Sequence, residues 1–150
     1  MTEEYVTKQI IKWLINNNWE ILAFDFPQSG TGISFKKDDC DNEKNKESII
    51  PDIIAVKQGI CTFWENKNRY YHADYEKVYN LRTNNQYKKA IDDFLKELDI
   101  QKIYYGIGLP SDKYKRNAIK YRDMTDFIIG VSSMSDIVDK LYDTNNIFFE

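Results

Sequence analysis

Residues Ile49–Lys67 read IIPDIIAVKQGICTFWENK and contain two apolar runs that flank a short polar segment. The runs Ile49–Val56 and Ile60–Asn66 are rich in β-branched and aromatic residues, which favour strands. The segment Lys57-Gln58-Gly59 between them is typical of a tight turn, because glycine accepts the positive φ angles that such turns need. The stretch therefore predicts a β-hairpin.

A two-residue turn at Gln58-Gly59 fixes which residues face each other across the hairpin. The register that follows places Asp52 opposite Glu65, and directly opposed residues of an antiparallel pair share one face of the sheet. Lys67 lies two residues beyond Glu65 and points to the same face. The hairpin thus predicts two carboxylates and one ammonium group side by side, whereas a turn of three or four residues would shift this pairing.

The predicted cluster has the composition of a metal-assisted hydrolytic site. Two opposed carboxylates repel each other, and a cation between them removes that repulsion. Mg²⁺ takes oxygen ligands, commonly one or two carboxylates together with waters and phosphate oxygens. A neighbouring lysine stabilises charge on a phosphate under attack or orients the attacking water. Asp52, Glu65 and Lys67 therefore supply the groups needed to hydrolyse a phosphodiester.

The same residues resemble a known sequence motif. Pro51-Asp52, a spacer of twelve residues and Glu65-Asn66-Lys67 are similar to the motif of the PD-(D/E)XK nuclease superfamily. An acidic residue early in a first helix, a strand from Trp19 and the loop Gln28–Gly32 resemble the layout of archaeal Holliday junction resolvases and type II restriction endonucleases. The resemblance covers roughly residues 3–100 and the later strand Lys102–Leu109. Asn66 departs from it, because the middle residue of the motif is often apolar.

The resemblance implies a Mg²⁺-dependent DNA endonuclease in which Mn²⁺ substitutes for Mg²⁺ and no nucleotide cofactor takes part. Asp52 and Glu65 would bind the metal, and Lys67 would help to activate water. The superfamily usually has one more acidic ligand on the first helix; Glu4 is the candidate, with Glu3 as the alternative, and both lie about one turn early. Restriction or phage defence and junction resolution in recombination or repair both stay open as roles.

Two other classes of protein fit the same residues. One is a catalytically inactive member of the nuclease fold that serves as a DNA-binding or assembly subunit. The other is an interaction protein of the virulence or immunity type, whose carboxylates are surface charge. The intact set of Asp52, Glu65 and Lys67 argues against the first class. The simplest structural alternative is that Asp52 begins a strand or caps a turn, and that Glu65 and Lys67 form a solvated pair on the sheet.

The segment 113–122 is the most basic of the chain, with no acidic residue and two interleaved tyrosines. It predicts a DNA-contacting surface, although a solvated helix or loop is the alternative. Ser29 and Thr31 are further candidates for hydrogen bonds to a phosphate, with a satisfied turn as the alternative. The predicted basic DNA contacts are Lys113, Lys115, Arg116, Lys120 and Arg122.

The composition narrows the class of protein. The chain has 150 residues and a net charge of −3, which is typical of one globular domain and not of a uniformly basic nucleic-acid coat. The single histidine, His72, excludes two-histidine metal motifs, and two cysteines are too few for a disulfide scaffold. No signal peptide or membrane span is recognisable, so a cytoplasmic protein is expected.

The remaining periodicity predicts an α/β fold of a single domain over residues 1–150, with a mixed central sheet flanked by helices as in restriction endonuclease-like proteins. A polar stretch, Lys36–Ser48, is predicted to be an exposed loop. The other predicted elements are a helix Glu3–Asn17, a strand Trp19–Phe26, a helical region Asp74–Leu98 broken near Thr83–Asn85, strands Lys102–Leu109 and Phe127–Val131, and a last helix Ser135–Tyr142.

The apolar C-terminal third predicts a homodimer. One site of this kind cuts one strand, and closed two-fold symmetry is the commonest way to supply two copies. The apolar tail Ile147–Phe149 and the region Phe127–Tyr142 are therefore expected to form a self-complementary interface. The alternative is that these residues close the core of a single chain.

Overall fold

A six-stranded mixed sheet forms the centre of the structure, a computed structural model that describes residues 1–38, 48–134 and 138–148. The first three strands form an antiparallel meander, the fourth and fifth run parallel to the third, and the sixth returns antiparallel. This confirms the predicted α/β class with a mixed sheet. In spatial and chain order the strands are β1 (Glu20–Phe24), β2 (Ile53–Lys57), β3 (Ile60–Asn66), β4 (Lys102–Pro110), β5 (Phe127–Val131) and β6 (Val138–Tyr142).

Helices cover both faces of the sheet. Helix α1 (Glu3–Asn16) packs its apolar stripe on one face, against residues of β2, β3 and β5. The helices α2 (His72–Thr83), α3 (Lys88–Leu95) and α4 (Ser111–Lys120) pack on the other face. The stripe of α1 follows from helical spacing, and the hydroxyl of Thr2 caps the helix by accepting from the Tyr5 N–H at 3.0 Å.

The β2–β3 hairpin has the predicted register. Lys57 pairs with Ile60 and Ile53 with Trp64, so Gln58 and Gly59 form a two-residue turn. Both turn residues have positive φ, 49° at Gln58 and 81° at Gly59, as a turn matched to the strand twist requires. The sequence-based pairing of the two strands is therefore confirmed.

The predicted break in the central helical region is also confirmed. Helix α2 ends at Thr83, Asn85 takes a positive φ of 49°, and α3 begins at Lys88. Asparagine tolerates this left-handed conformation better than most residues, so it reverses the chain at low cost. The break separates α2, which packs near the end of β3, from α3, which covers the far end of the hairpin.

The predicted last helix, Ser135–Tyr142, is wrong where the structure describes it. Residues 138–142 form β6, which pairs with β5 through Val131 and Val138, and residues 135–137 lie outside the described residues. The spacing of apolar residues in this segment fits a helix, but the free edge of β5 offers a full ladder of hydrogen bonds. Tertiary pairing therefore outweighs the local pattern.

The C-terminal tail completes the core of the chain. Ile147 and Phe148 are buried, and the Phe148 ring lies 5.3 Å from Trp19 and 5.0 Å from Phe127 between ring centroids. The Asp143 carboxylate accepts the backbone N–H groups of Ile147 at 2.8 Å and Phe148 at 2.9 Å, which fixes the tail in place. The expectation that these two residues form a dimer interface is therefore wrong; they serve the core of the single chain.

The other residues of the predicted interface differ in burial: β5 is buried, whereas Met134 is exposed and β6 is only partly buried, so an interface through those two stays a prediction. Every residue of β5 is buried within the chain, and Phe149 lies outside the described residues. Most of the predicted loop Lys36–Ser48 also lies outside them, at residues 39–47, while Phe35 and Ile49 on either side are joined by a β-bridge. In the part of the chain that is described, no helix has the length and apolarity needed to cross a membrane.

The centre of the sheet carries one cysteine. Cys61 lies on β3, between β2 and β4, and is fully buried. Burial raises the pKa of its thiol to about 12, so the sulfur is protonated at neutral pH. Its role in the folded chain is packing.

Candidate active site

The ends of β2 and β3 bring Asp52 and Glu65 together. Asp52 directly precedes β2, and its backbone N–H donates to the Trp64 carbonyl at 2.9 Å, which extends the hairpin pairing by one residue. The Asp52 carboxylate accepts the Asn66 N–H at 2.6 Å, and the Glu65 side chain is only 12% exposed. The paired residues end at Ile53 and Trp64, and just beyond them Asp52 and Glu65 lie close enough for the charge of one to act on the other.

The pair is electrostatically unfavourable when both groups are charged. Burial, and then the charge of Glu65, raise the pKa of Asp52 to about 8, although the Asn66 N–H, Lys77 and Lys67 act in the opposite direction. A carboxyl group with this pKa carries a proton over much of the neutral range. Added positive charge next to the pair would favour the ionised form of Asp52.

Lys67 lies at the mouth of the same cluster. Its backbone N–H donates to the Gly108 carbonyl at 3.0 Å, which anchors it to β4, and its ammonium lies 3.5 Å from a carboxylate oxygen of Glu3. Burial alone would lower the pKa of Lys67, but four carboxylates, those of Asp74, Glu3, Glu65 and Asp52, together raise it. Lys67 is therefore held as a cation next to the acidic pair.

The structure brings Glu3, and not Glu4, to this cluster. Glu3 reaches Lys67 from the first turn of α1, whereas the Glu4 carboxylate pairs with Lys8 at 3.3 Å and is half exposed. Successive residues of a helix point about 100° apart, so only one of the two faces the sheet end. The assignment of Glu4 to the site is thus replaced by Glu3, the alternative from the sequence.

Helix α2 adds two residues that the sequence did not indicate. The Lys77 ammonium lies 3.1 Å from a Glu65 oxygen, and Asp74 is only 8% exposed. Burial raises the pKa of Asp74 to about 6, with the charges of Lys67 and Glu65 acting in opposite directions. Both residues share a helical face with the buried Val78, and this i, i+3, i+4 spacing was the available signal.

Asn66 supports the cluster from the opposite face of the sheet. Its side chain is 1% exposed, and its amide nitrogen donates to the Thr7 hydroxyl at 3.1 Å, which ties β3 to α1. Gly108 lies directly beside it on β4, where a Cβ atom would collide with the Asn66 oxygen. The unusual polar residue of the motif thus has a partner within the protein.

Ser29 and Thr31 lie in a hydrogen-bonded turn. The Ser29 hydroxyl donates to the Asp25 carboxylate at 2.9 Å, and the Thr31 hydroxyl donates to the Phe24 carbonyl at 2.8 Å. The loop lies near the site, because the Asp25 N–H donates to the Asp52 carbonyl at 2.8 Å. Both hydroxyl groups therefore already have hydrogen-bond partners, as the alternative of a satisfied turn predicts. A phosphate would have to displace these contacts to bind.

The basic segment begins at the same edge of the sheet as the acidic cluster. Gly108 pairs with Asn66, and α4 starts at Ser111, directly after β4. All five predicted basic residues are exposed, and among the described residues none of them forms a salt bridge. They are Lys113, Lys115, Arg116 and Lys120 on α4 and Arg122 directly after it; the Arg122 guanidinium donates to the Ile119 carbonyl at 2.9 Å.

The acidic cluster has the donor chemistry for one hard divalent cation. Asp52 and Glu65 offer carboxylate oxygens, which Mg²⁺ and Mn²⁺ prefer. In the described part of the chain, no group of three or more histidine, cysteine, aspartate and glutamate side chains is arranged to hold a metal ion. Two protein carboxylates completed by waters and phosphate oxygens make a common Mg²⁺ environment, so the residues present fit the ion.

Comparison with models of protein families and with curated proteins finds no match to this chain.

Proposed function

We propose that the protein is a Mg²⁺-dependent DNA endonuclease that hydrolyses phosphodiester bonds, as the resemblance to the PD-(D/E)XK superfamily implies. The observation that carries the proposal is the pair Asp52 and Glu65, two carboxylates buried together with a raised pKa at Asp52. Such a pair lowers the stability of the fold, so its presence suggests a functional role. Carboxyl groups with shifted pKa values of this kind concentrate at functional sites. Mn²⁺ would substitute for Mg²⁺.

Each residue has a separate role. Asp52 and Glu65 would hold the cation, which supplies Lewis-acid activation of the phosphate and of a bound water. Lys67, kept charged by its acidic neighbours, would orient the attacking water and stabilise charge on the phosphate. Glu3 fixes the position of the Lys67 ammonium, so it is a positioning residue.

The charge balance of the cluster supports a divalent ion. Asp52, Glu65, Asp74 and Glu3 are four carboxylates, and Lys67 and Lys77 are the two ammonium groups named in their electrostatic environment. With every group ionised the cluster therefore carries a charge of −2. One bound Mg²⁺ would neutralise that charge, and Asp52 would then be ionised at neutral pH.

DNA is the proposed substrate because the exposed basic residues of α4 follow directly from the strand that adjoins the site. Phosphate contacts by such residues give affinity without sequence selection. A homodimer acting in the cytoplasm remains part of the proposal, since two cuts need two sites. Its interface would use a surface other than Ile147 and Phe148, which are buried in the chain.

A cleavage assay tests the function directly. Plasmid, single-stranded and four-way-junction DNA are incubated with the purified protein and Mg²⁺, Mn²⁺ or EDTA, and Glu65→Gln is the matched control because it keeps the size of the side chain. The proposal predicts cleavage by the wild type in either metal and none in EDTA or with the variant. Equal metal-dependent cleavage by the wild type and Glu65→Gln would contradict the site.

A DNA-binding subunit without catalytic activity is the second candidate, and one contact favours it. The Lys77 ammonium lies 3.1 Å from the Glu65 carboxylate, so an internal cation already neutralises one of the two ligands. In such a subunit, Mg²⁺ would neither bind nor raise the thermal stability of the wild type. A Mg²⁺ titration followed by calorimetry therefore separates the two candidates before any substrate is known.

A further inference from the structure

Aromatic rings cover the surface beside Lys67 and are not used by the proposed hydrolysis. Tyr70, Tyr71 and His72 follow one another at the start of α2, and Tyr121 ends α4; these four residues are termed the aromatic cluster. The ring centroids of His72 and Tyr121 lie 4.6 Å apart, and those of Tyr70 and Tyr121 lie 6.2 Å apart at an interplanar angle of 21°. Two distant parts of the chain thus meet as one aromatic surface.

Cations border these rings. The Arg69 guanidinium lies 4.4 Å from the centre of the Tyr71 ring, and the Lys67 ammonium lies 5.8 Å from it. On the other side, the Lys120 ammonium lies 5.5 Å from the Tyr121 ring. The surface therefore alternates aromatic faces with positive charge and extends from the proposed catalytic lysine to the basic residues of α4.

The cluster is held in place although three of its four residues, Tyr71, His72 and Tyr121, are exposed. Tyr71 and Tyr121 are each 36% exposed. Tyr70 contacts Tyr121, packs on the buried Tyr75 with centroids 5.3 Å apart, and its hydroxyl forms a hydrogen bond of 2.8 Å with His72 Nδ1. The Tyr71 hydroxyl accepts a hydrogen bond from the Arg69 guanidinium. Side chains already ordered in this way lose little entropy when a ligand stacks on them.

We propose that the aromatic cluster binds the unpaired bases of single-stranded DNA, which makes DNA with a single-stranded segment the substrate of the neighbouring site. This inference deepens the proposed nuclease function and rests on it for the cleavage step alone. Proteins that bind single strands combine a positive surface for the backbone with aromatic rings on which bases stack. The bases of a duplex are already stacked on each other and would not reach the rings.

Binding measured without metal tests the inference independently of cleavage. Fluorescence anisotropy in EDTA would compare three labelled 20-nucleotide probes: oligo-dT, an abasic strand with the same phosphates, and a duplex. The protein variants are Tyr71→Leu and Tyr121→Leu, with Tyr71→Phe and Tyr121→Phe as conservative counterparts. Tyr79→Leu is the matched control, because Tyr79 is an exposed tyrosine of α2 outside the aromatic cluster.

The expected result is that the wild type binds oligo-dT at least about fivefold more tightly than the abasic strand or the duplex. Each leucine variant should weaken oligo-dT binding by about 5- to 100-fold, as loss of one stacked base predicts, and leave binding of the abasic strand unchanged. The phenylalanine variants and Tyr79→Leu should bind as the wild type does.

Equal affinity for the abasic strand, or leucine variants that bind like the wild type, would overturn the role of the rings. Failure of the proposed nuclease gives a different pattern, in which base-dependent binding persists in EDTA but Mg²⁺ produces no cleavage of any probe. Tight binding of the duplex that is unaffected by the leucine variants would assign this surface to phosphate contacts alone and overturn the inference.

Discussion

Asp52 and Asp126 are two partly buried aspartates with similar backbone support and different surroundings. The Asp52 carboxylate accepts the Asn66 N–H at 2.6 Å, and the Asp126 carboxylate accepts the Tyr105 N–H at 2.8 Å. Burial raises the pKa of both groups. In each case the polar contact holds a carboxylate at one end of a strand.

The difference between them is the source of compensating charge. The Arg82 guanidinium lies 3.1 Å from the Asp126 carboxylate and opposes the effect of burial on its pKa. Asp52 forms no ion pair among the described residues, and the charge of Glu65 raises its pKa further. Asp126 is neutralised within the protein and joins α2 to the start of β5. Asp52 lacks enough internal charge, which is the property expected of a ligand for an external cation.

The largest effect should follow from removing either proposed metal ligand. Asp52→Asn and Glu65→Gln should each lower the cleavage rate by about a thousandfold or more, because a lost metal contact removes several kcal/mol of transition-state stabilisation. Asp126→Asn should leave the rate within about threefold of the wild type, since its carboxylate already has an internal partner. Initial rates at saturating Mg²⁺ measure this; equal losses in all three variants would remove the distinction between the two aspartates.

Lys67 should affect rate and not metal affinity. Lys67→Met keeps most of the side-chain volume and removes the charge. The cleavage rate should therefore fall by about a hundredfold, while the dissociation constant for Mg²⁺ should not increase. Single-turnover cleavage and calorimetric titration separate the two quantities. A large loss of Mg²⁺ binding would show that the lysine organises the ligands instead of acting on the phosphate.

The two aspartates should also differ in their effect on stability. The pKa of Asp52 is raised from 3.8 to about 8 in the folded state, so the folded chain binds a proton that the unfolded chain has released, and stability falls as the pH rises through this window. In EDTA, Asp52→Asn should therefore exceed the wild type in unfolding free energy at pH 8 by on the order of 2 kcal/mol, and by little at pH 4.

Asp126→Asn is the control for this stability measurement. The substitution should change the free energy of unfolding by less than about 1 kcal/mol. The Arg82 side chain is partly exposed, so its charge reaches solvent when the carboxylate is absent. Urea unfolding at both pH values provides the free energies. A variant at Asp52 that is less stable than the wild type at pH 8 would contradict the unfavourable charge pair.

The smallest effect concerns the internal cation. Lys77→Met removes the ammonium that pairs with Glu65 at 3.1 Å, so Mg²⁺ should bind about two- to fivefold more tightly, as expected for a partly exposed ion pair. Calorimetric titration at low salt gives the comparison. Weaker Mg²⁺ binding by this variant would mean that Lys77 supports the cation site and does not compete with it.

The sequence predicted the hairpin register correctly because local chemistry determines it. A two-residue turn at Gln58-Gly59 leaves one pairing for strands that must keep their apolar faces inward, and that pairing brings Asp52 to Glu65. The choice between Glu3 and Glu4 needed the rotation of α1 about its axis, which depends on how Val6 and Ile10 pack on the sheet. Adjacent carboxylates on a helix carry no such information by themselves.

Other features depended on distant contacts. Asp74 and Lys77 lie on a largely polar helix, and their spacing with Val78 gives only a weak signal, so their place beside Glu65 depends on where α2 crosses the sheet. The apolar tail is equally compatible with a core and with an interface between chains. Only the aromatic pocket around Phe148 distinguishes them, and residues from α1, β3 and β5 form it.

The buried thiol of Cys61 is a natural chemical probe for opening of the sheet. The thiol lies near the start of β3 with no exposed surface, and its pKa of about 12 leaves almost no reactive thiolate at pH 8. An alkylating reagent therefore reaches it only when β2, β3 and β4 separate, an event that reports the global stability of the fold. With Cys40 replaced by serine, Cys61 is the one remaining thiol. Its rate of alkylation then distinguishes a variant that has lost a charge but keeps the fold from a variant whose sheet has unfolded.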